Sequence, residues 1–190
     1  MEKVNDKKHM TKKRIMDSFW DIYCDKKIEK ITVKEVTTKA GFNRSTFYEY
    51  FLDIYDVLDQ IEKELLPDIK ALPPIKLANQ NFGMPIDSFL KMLEEKEKYY
   101  SVLLGEKGDP QFIRKLKDSA KNAIYTTLGS KVDSEELDFV IEYTLSAMIG
   151  IMEYWLSKGK NLSNEKLLEL TGKLMDNGVS SYLTDNLLYT

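Results

Sequence analysis

An all-α fold is predicted by three features of this 190-residue chain. Apolar residues recur at intervals of three and four, no stretch alternates with period 2 for long enough to make a strand, and capping residues open the apolar stripes that glycine or proline then closes. No internal repeat or low-complexity segment interrupts the pattern. With 31% charged and 43% hydrophobic residues the chain is an ordinary globular one, long enough for one or two small domains whose core needs no disulfide.

The clearest local signals lie between residues 31 and 51. Thr32 and Glu35 form an S/T-x-x-E capping box, so a helix starts near Val33. Val36 and Ala40 follow at helical spacing, and Gly41 supplies the permissive backbone that a helix end and sharp turn require. Asn43 is an N-cap for a second helix, whose Phe47 and Phe51 lie four apart and face a core. Another helix, from about Asp53, is ended or kinked by Pro67 and runs into Leu72-Pro73-Pro74. The turn-rich segment 73–85 closes with Pro85. Ile86, Phe89, Leu90 and Leu93 then fit i, i+3, i+4, i+7 in a helical region that stops at Gly105. Asp109-Pro110 opens a helix through Phe112, Ile113, Leu116, Ala120, Ala123 and Ile124 to Gly129. Asp133 with Glu136 caps the next, which runs to about Lys158 with Gly159 beyond it. Ser163 begins the last, carrying Leu167, Leu168, Thr171, Leu174, Met175, Val179 and Tyr182.

Two short helices joined by a glycine turn have the layout of a helix-turn-helix. Such motifs present the N-terminal part of the second helix to base edges in the major groove. Here that part offers Arg44, which can donate a bidentate pair to guanine, the Ser45 and Thr46 hydroxyls, which can serve bases or phosphates, and Tyr48, whose ring suits a thymine methyl and whose phenol suits a phosphate. A plain hairpin of helices with a solvated polar face has the same layout, and the aromatic content of this polar face speaks against it.

Charge follows the same division. Residues 1–52 hold 12 Lys/Arg against 8 Asp/Glu, a net of +4, whereas residues 53–190 carry a net of −7, leaving −3 for the whole. Lys7, Lys8, Lys12, Lys13 and Arg14 are read as a polar arm just ahead of the first helix, able to reach toward phosphate or simply to solvate the N-terminus. His9, the only histidine, falls in that arm, and Cys24 is the only cysteine. Disulfide frameworks, Cys/His zinc sites and histidine-based catalysis are thereby set aside, and no Gly-rich phosphate loop, metal-ligand cluster or Ser/His pair replaces them. The chain is therefore read as no enzyme, with no cofactor and no metal. No apolar run approaches the ~20 residues of a membrane span and no signal-peptide stretch opens the chain, so a cytoplasmic protein is expected.

Thr32-Val33-Lys34-Glu35, followed by Ala40-Gly41-Phe42-Asn43-Arg44-Ser45-Thr46-Phe47-Tyr48-Glu49-Tyr50-Phe51, resembles the DNA-binding domain of the TetR family of transcriptional regulators. Its hallmark is an aromatic-rich recognition helix ending in Tyr-x-Tyr/His-Phe. The resemblance spans about residues 10–66, with Ile15, Phe19 and Ile22 fitting the family's first helix and Ile54, Leu58, Ile61 and Leu65 its fourth. Carried over position by position, it implies base contacts at Lys34, Arg44, Ser45, Thr46, Tyr48 and Tyr50, and phosphate contacts around Thr32, Val33 and Tyr48. In one respect the sequence departs from the family, which usually carries Phe-Lys-x-Lys after the aromatic pair where this chain has Leu52 and Ile54. Loss of two cationic contacts should flatten the salt dependence of DNA binding.

The resemblance implies a helix-turn-helix DNA-binding domain at 1–52, a fourth helix connecting at 53–72, and a helical regulatory and dimerisation domain at 73–190. Segment 99–117 and Ile149-Gly150-Ile151-Met152-Glu153-Tyr154-Trp155-Leu156 resemble a C-terminal domain of a subgroup related to activators of dihydroxyacetone kinase operons. The helix from 134 to 158 has an apolar stripe too broad for one packing face, and Gly150 near its centre would admit a close neighbour. In the TetR family the last two long helices form a four-helix bundle with a second subunit, so a homodimer is expected; a helix buried wholly within its own domain would need the same breadth. The family's effector pocket lies among these helices, where Met92, Tyr99, Tyr100, Leu103, Phe112, Tyr125, Phe139, Tyr143, Met148, Met152 and Trp155 are candidates to line it, ordinary core packing being the competing role of each. The expected function is a dimeric regulator of double-stranded, palindromic operator DNA, a repressor relieved by a small apolar or aromatic effector. The alternative is an activator or co-regulator that works mainly through a protein partner.

Overall fold

The computed structural model describes residues 2–66, 86–105, 108–128, 135–175 and 178, and its elements are all helical: α1 (Glu2–Tyr23), α2 (Val33–Ala40), α3 (Arg44–Tyr48), α4 (Ile54–Leu65), α5 (Ile86–Glu95), α6 (Glu97–Leu103), α7 (Pro110–Leu128), α8 (Glu135–Ser157) and α9 (Asn164–Met175). The expected all-α fold is the one observed. The chain divides into two compact units, Met1–Leu65 and Leu66–Thr190.

In the first unit, α1 buries Ile15, Met16, Phe19, Trp20 and Tyr23, a set spaced to line one side of a helix. The helix begins at Glu2, so the basic segment Lys7 to Arg14, expected as an arm ahead of it, lies within it instead, His9 included. No glycine or proline interrupts residues 2–14, and the Thr11 hydroxyl donates back to the Lys7 carbonyl at 3.0 Å. After a 3-10 turn at Ile28–Lys30, Thr32 caps α2 with the reciprocal hydrogen bonds of the capping box. Gly41 follows in the left-handed region at φ 73°, where its N–H reaches the carbonyls of Thr37 and Thr38 and turns the chain toward α3. Phe47 and Phe51, with ring centroids 5.5 Å apart, close over a core of Phe19, Val36, Ala40, Val57, Leu58 and Ile61. Asp53 caps α4 by accepting from the Asp56 N–H at 2.9 Å, and the Asp56 carboxylate accepts from the Leu52 N–H at 2.8 Å.

In the second unit, α7 and α8 run antiparallel. Lys117 pairs with Glu142 at 2.6 Å and Lys121 with Asp138 at 2.8 Å, so partners descend α8 as residue numbers climb α7. Asp109 accepts from the Gln111 N–H at 2.8 Å and Pro110 opens α7, as its sequence predicts. The helical region expected to stop at Gly105 consists of two helices, α5 and α6, parted at Lys96 with φ −123° and ψ 30°. Residues 94–98 place no buried side chain, leaving that turn without the packing that would hold it in one continuous helix. Ser163 caps α9, its hydroxyl accepting from the Lys166 N–H at 3.4 Å. The expectations at Pro67, Leu72-Pro73-Pro74, the segment 73–85, Gly129, Asp133, Val179 and Tyr182 lie outside the described residues.

Candidate nucleic-acid interface

The start of α2 forms one edge of the candidate surface. Thr32 and Lys34 are exposed and Val33 half-buried. The Thr32 oxygen accepts from the Glu35 N–H at 3.2 Å while its hydroxyl donates to the Glu35 carboxylate at 2.9 Å, so this side chain is engaged by its own helix cap. Lys26 also donates to Glu35, and that bond, followed by those from Thr32, holds the carboxyl below its ordinary range. The Glu35 carboxylate at this edge thus stands beside a cation that offsets its repulsion of phosphate. Lys34 and Arg44 have no carboxylate partner among the described residues.

The first turn of α3 forms the other edge. Asn43 accepts from the Thr46 N–H at 2.9 Å, which fixes its oxygen on that side, since an amide nitrogen only donates. The Ser45 and Thr46 hydroxyls lie 2.7 and 2.9 Å from the same oxygen, so each donates to it. What both hydroxyls turn outward is lone pairs, suited to an amino group rather than to a phosphate oxygen. Sequence reasoning gave Asn43 a cap alone and missed this second effect, which needs side-chain geometry. Arg44 and Tyr48 are exposed, Tyr48 at 58%, and Tyr50 is half-buried, its carbonyl accepting from the Gln60 amide at 3.4 Å. Beneath them Phe47 is fully buried, so the short helix is anchored on one side and presents polar groups on the other.

Of the two positions where the family resemblance expects lysine, Leu52 is 83% exposed and Ile54 is 6% exposed. Only the first is a surface cation lost. At the second, the side chain belongs to the core.

In the second unit, Tyr100, Leu103, Phe112, Met148, Met152 and Trp155 are buried, with the Tyr100 and Phe112 rings 6.0 Å apart and burial pushing the Tyr100 phenol up from its ordinary pKa. Met92, Tyr99 and Tyr125 are half-buried, and Tyr125 donates to the Asp138 carboxylate. Phe139 and Tyr143 stand apart from this group. At 78% and 67% exposed they lie on the outer side of α8, because their register is that of Gly150 and Tyr154 rather than that of Ile141, Met148 and Met152. Among the described residues no His/Cys/Asp/Glu group fit for a metal is found, and no helix is long and apolar enough to cross a membrane.

A helix-turn-helix with an open polar face, followed by a second helical unit, defines a class of transcriptional regulator. Residues 83–177, half of the 190-residue chain, match the TetR C-terminal family described as the transcriptional regulator C-terminal region. The chain belongs to the TetR family, whose members matched here are transcriptional regulators and not enzymes. Its fold is similar to that of a TetR transcriptional regulator from Streptococcus agalactiae, at 24% identity and TM-score 0.65 over 92% of this chain and 98% of that one. It is similar to the dihydroxyacetone kinase operon activator DhaS at 19% identity and TM-score 0.51, covering 94% and 96%, and to the fatty acid degradation regulator FadR from Bacillus halodurans at 15% and 0.58, covering 88% and 95%. At these identities the likeness is one of fold. No curated protein matches the chain.

Proposed function

We propose that this regulator is a homodimeric repressor of palindromic double-stranded operator DNA, released by a small apolar or aromatic effector held in its second unit. The observation that carries the reading is the exposed face of α3, with Arg44, Ser45 and Tyr48 open above a buried Phe47. On this reading Lys34, Arg44, Ser45, Thr46, Tyr48 and Tyr50 read bases, while Thr32, Val33 and Tyr48 touch phosphate. Two symmetric recognition helices require half-sites one helical turn apart or a multiple of it. Dimerisation is assigned to α8 and α9, because Phe139, Tyr143 and Tyr154 on α8 and Leu170 and Leu174 on α9 are exposed apolar or aromatic side chains in a single chain. The effector is assigned to the apolar, phenol-bearing interior around Tyr100, Phe112, Met148, Met152 and Trp155, a lining suited to an aromatic or lipophilic molecule.

Release requires that the effector bind one arrangement of the two recognition helices better than another. The chain passes from α3 through α4 into the second unit, so α4 is the element through which the change would travel. Fluorescence anisotropy on duplex DNA from upstream of the protein's own gene, with and without a ligand that raises the protein's melting temperature, tests both steps. No binding refutes the DNA reading; binding that the ligand leaves unchanged refutes the coupling.

A second reading, an activator or co-regulator acting through a protein partner, is favoured by one observation. Leu52 is 83% exposed beside the recognition helix, where a lysine would have favoured phosphate, and Tyr55 is also exposed. The similar DhaS is an operon activator by name, which makes this sign of regulation one to test here too.

A further inference from the structure

Five cations crowd residues 7–14, and α1 carries all of them. The structure singles out one. The Arg14 guanidinium carbon lies 5.5 Å from the centroid of the Phe42 ring, in the turn between α2 and α3. Its Nη2 atom is 3.3 Å from where a Cβ on residue 41 would stand, so Gly41 provides the room as well as the left-handed turn. Arg14 is exposed, and no carboxylate pairs with it among the described residues, whereas nearby Lys39 is paired with Asp21 at 3.2 Å and Lys26 with Glu35.

A guanidinium held over an aromatic ring at cation–π distance still has N–H groups to donate, and that fork matches the oxygens of a phosphate. Phe42 immediately precedes Asn43 and Arg44, so the cation stands at the border of the face that α3 presents. The major groove is about 12 Å wide, and an element entering it is flanked by phosphates on both sides. We propose that Arg14 is a phosphate-binding residue of the DNA interface, its guanidinium held on Phe42 for a phosphodiester at the groove edge. The proposal rests on the reading of this unit as DNA-binding. It gives the border of α3 at the turn the backbone anchor that Leu52 no longer supplies at its other end.

The test is fluorescence anisotropy of the full chain on a labelled 30-bp duplex of mixed sequence between 50 and 200 mM KCl. Each neutralised phosphate adds about 0.9 to the slope of log K against log salt, so Arg14→Ala should flatten the slope by about that amount and lose roughly 3.5-fold less affinity than wild type over the interval. Arg14→Gln keeps the stem and a flat polar head, and should show the same flattening even if the alanine variant folds poorly. Arg14→Lys should retain the slope and bind several-fold more weakly, because the charge survives and the planar N–H fork does not. A purely structural role would move the melting temperature and leave the slope alone. An unchanged slope in folded Arg14→Gln overturns the proposal, and failure of the wild-type protein to bind any duplex overturns instead the DNA reading beneath it.

Discussion

At the scale of single residues, α3 separates side chains that hold the fold from side chains left open for recognition. Phe47 is fully buried against Phe51, and truncating a packed aromatic costs about 3–5 kcal/mol, so Phe47→Ala should lower the urea midpoint of unfolding substantially. Arg44, one turn earlier and exposed, should barely affect that midpoint when changed to Ala. If its guanidinium pairs with a guanine, specific affinity falls by about 1–3 kcal/mol and preference relaxes at one base pair per half-site, as measured on a randomised duplex library. An Arg44→Ala variant that unfolds, or that binds specific and random DNA as wild type does, contradicts the assignment. The hydroxyls of Ser45 and Thr46 extend the reasoning from charge to hydrogen-bond polarity. Both donate to Asn43 and face outward as acceptors. At the base pair where Ser45→Ala loses preference, deleting the exocyclic amino group should therefore weaken wild-type binding about five-fold, the worth of one net hydrogen bond of roughly 1 kcal/mol. The variant should be indifferent to that deletion. Sensitivity to loss of a keto oxygen instead would mean that the hydroxyl turns round and donates.

At the scale of elements, helix ends carry most of what the sequence makes legible, because a cap is a local interaction between named residues. Thr32 with Glu35, Asn43, Asp109 and Ser163 all cap where their spacing predicts, and Gly41 takes the left-handed turn. The break at Lys96 was illegible: no glycine or proline marks it, and Leu90, Leu93, Tyr100 and Leu103 keep a helical period across it. The candidate site divides the same way. The outward direction of Arg44 and Tyr48 followed from the spacing of Phe47 and Phe51, whereas the seat of Arg14 on Phe42 joins residues 28 apart in sequence, which no local pattern reveals. The outward face of Phe139 and Tyr143 was likewise hidden, since within an apolar stripe too broad for one packing face, residue type does not tell the inner side from the outer. The capping box also makes a pH prediction. Lys26 and then Thr32 lower the Glu35 pKa in the folded state, so its contribution to stability is fully present above the unfolded value of 4.5 and is lost as pH falls through the lower folded value. Wild type should therefore lose melting temperature below pH 4.5 more steeply than Glu35→Gln, which lacks the titrating group; parallel acid profiles would show that the pairing adds nothing.

At the scale of the whole molecule, the question is what covers the outer face of α8. Phe139, Tyr143 and Tyr154 are 78%, 67% and 65% exposed and fall, with Gly150, in one register. Among the described residues, a Cβ added at Gly150 meets nothing within 4 Å, so they give no steric reason for a glycine there. Intrinsic preference opposes it, since glycine within a helix costs about 1 kcal/mol relative to alanine. A second subunit crossing at that point would supply the missing reason, because a glycine, with no Cβ, lets two helix backbones approach more closely than any other residue does. The two accounts predict opposite signs for one substitution series. If α8 faces solvent, Gly150→Ala and Gly150→Leu both raise the melting temperature, and sedimentation reports the same species as wild type. If Gly150 lies at a dimer crossing, Gly150→Leu shifts sedimentation toward monomer at micromolar concentration. The melting temperature of the leucine variant then falls and becomes more dependent on protein concentration, because folding is linked to association. Since two half-sites are gripped only when both recognition helices belong to one particle, the same variant should lose operator affinity without any change on the DNA-reading face. A leucine variant that remains a dimer and binds operator as wild type does would move the crossing away from Gly150.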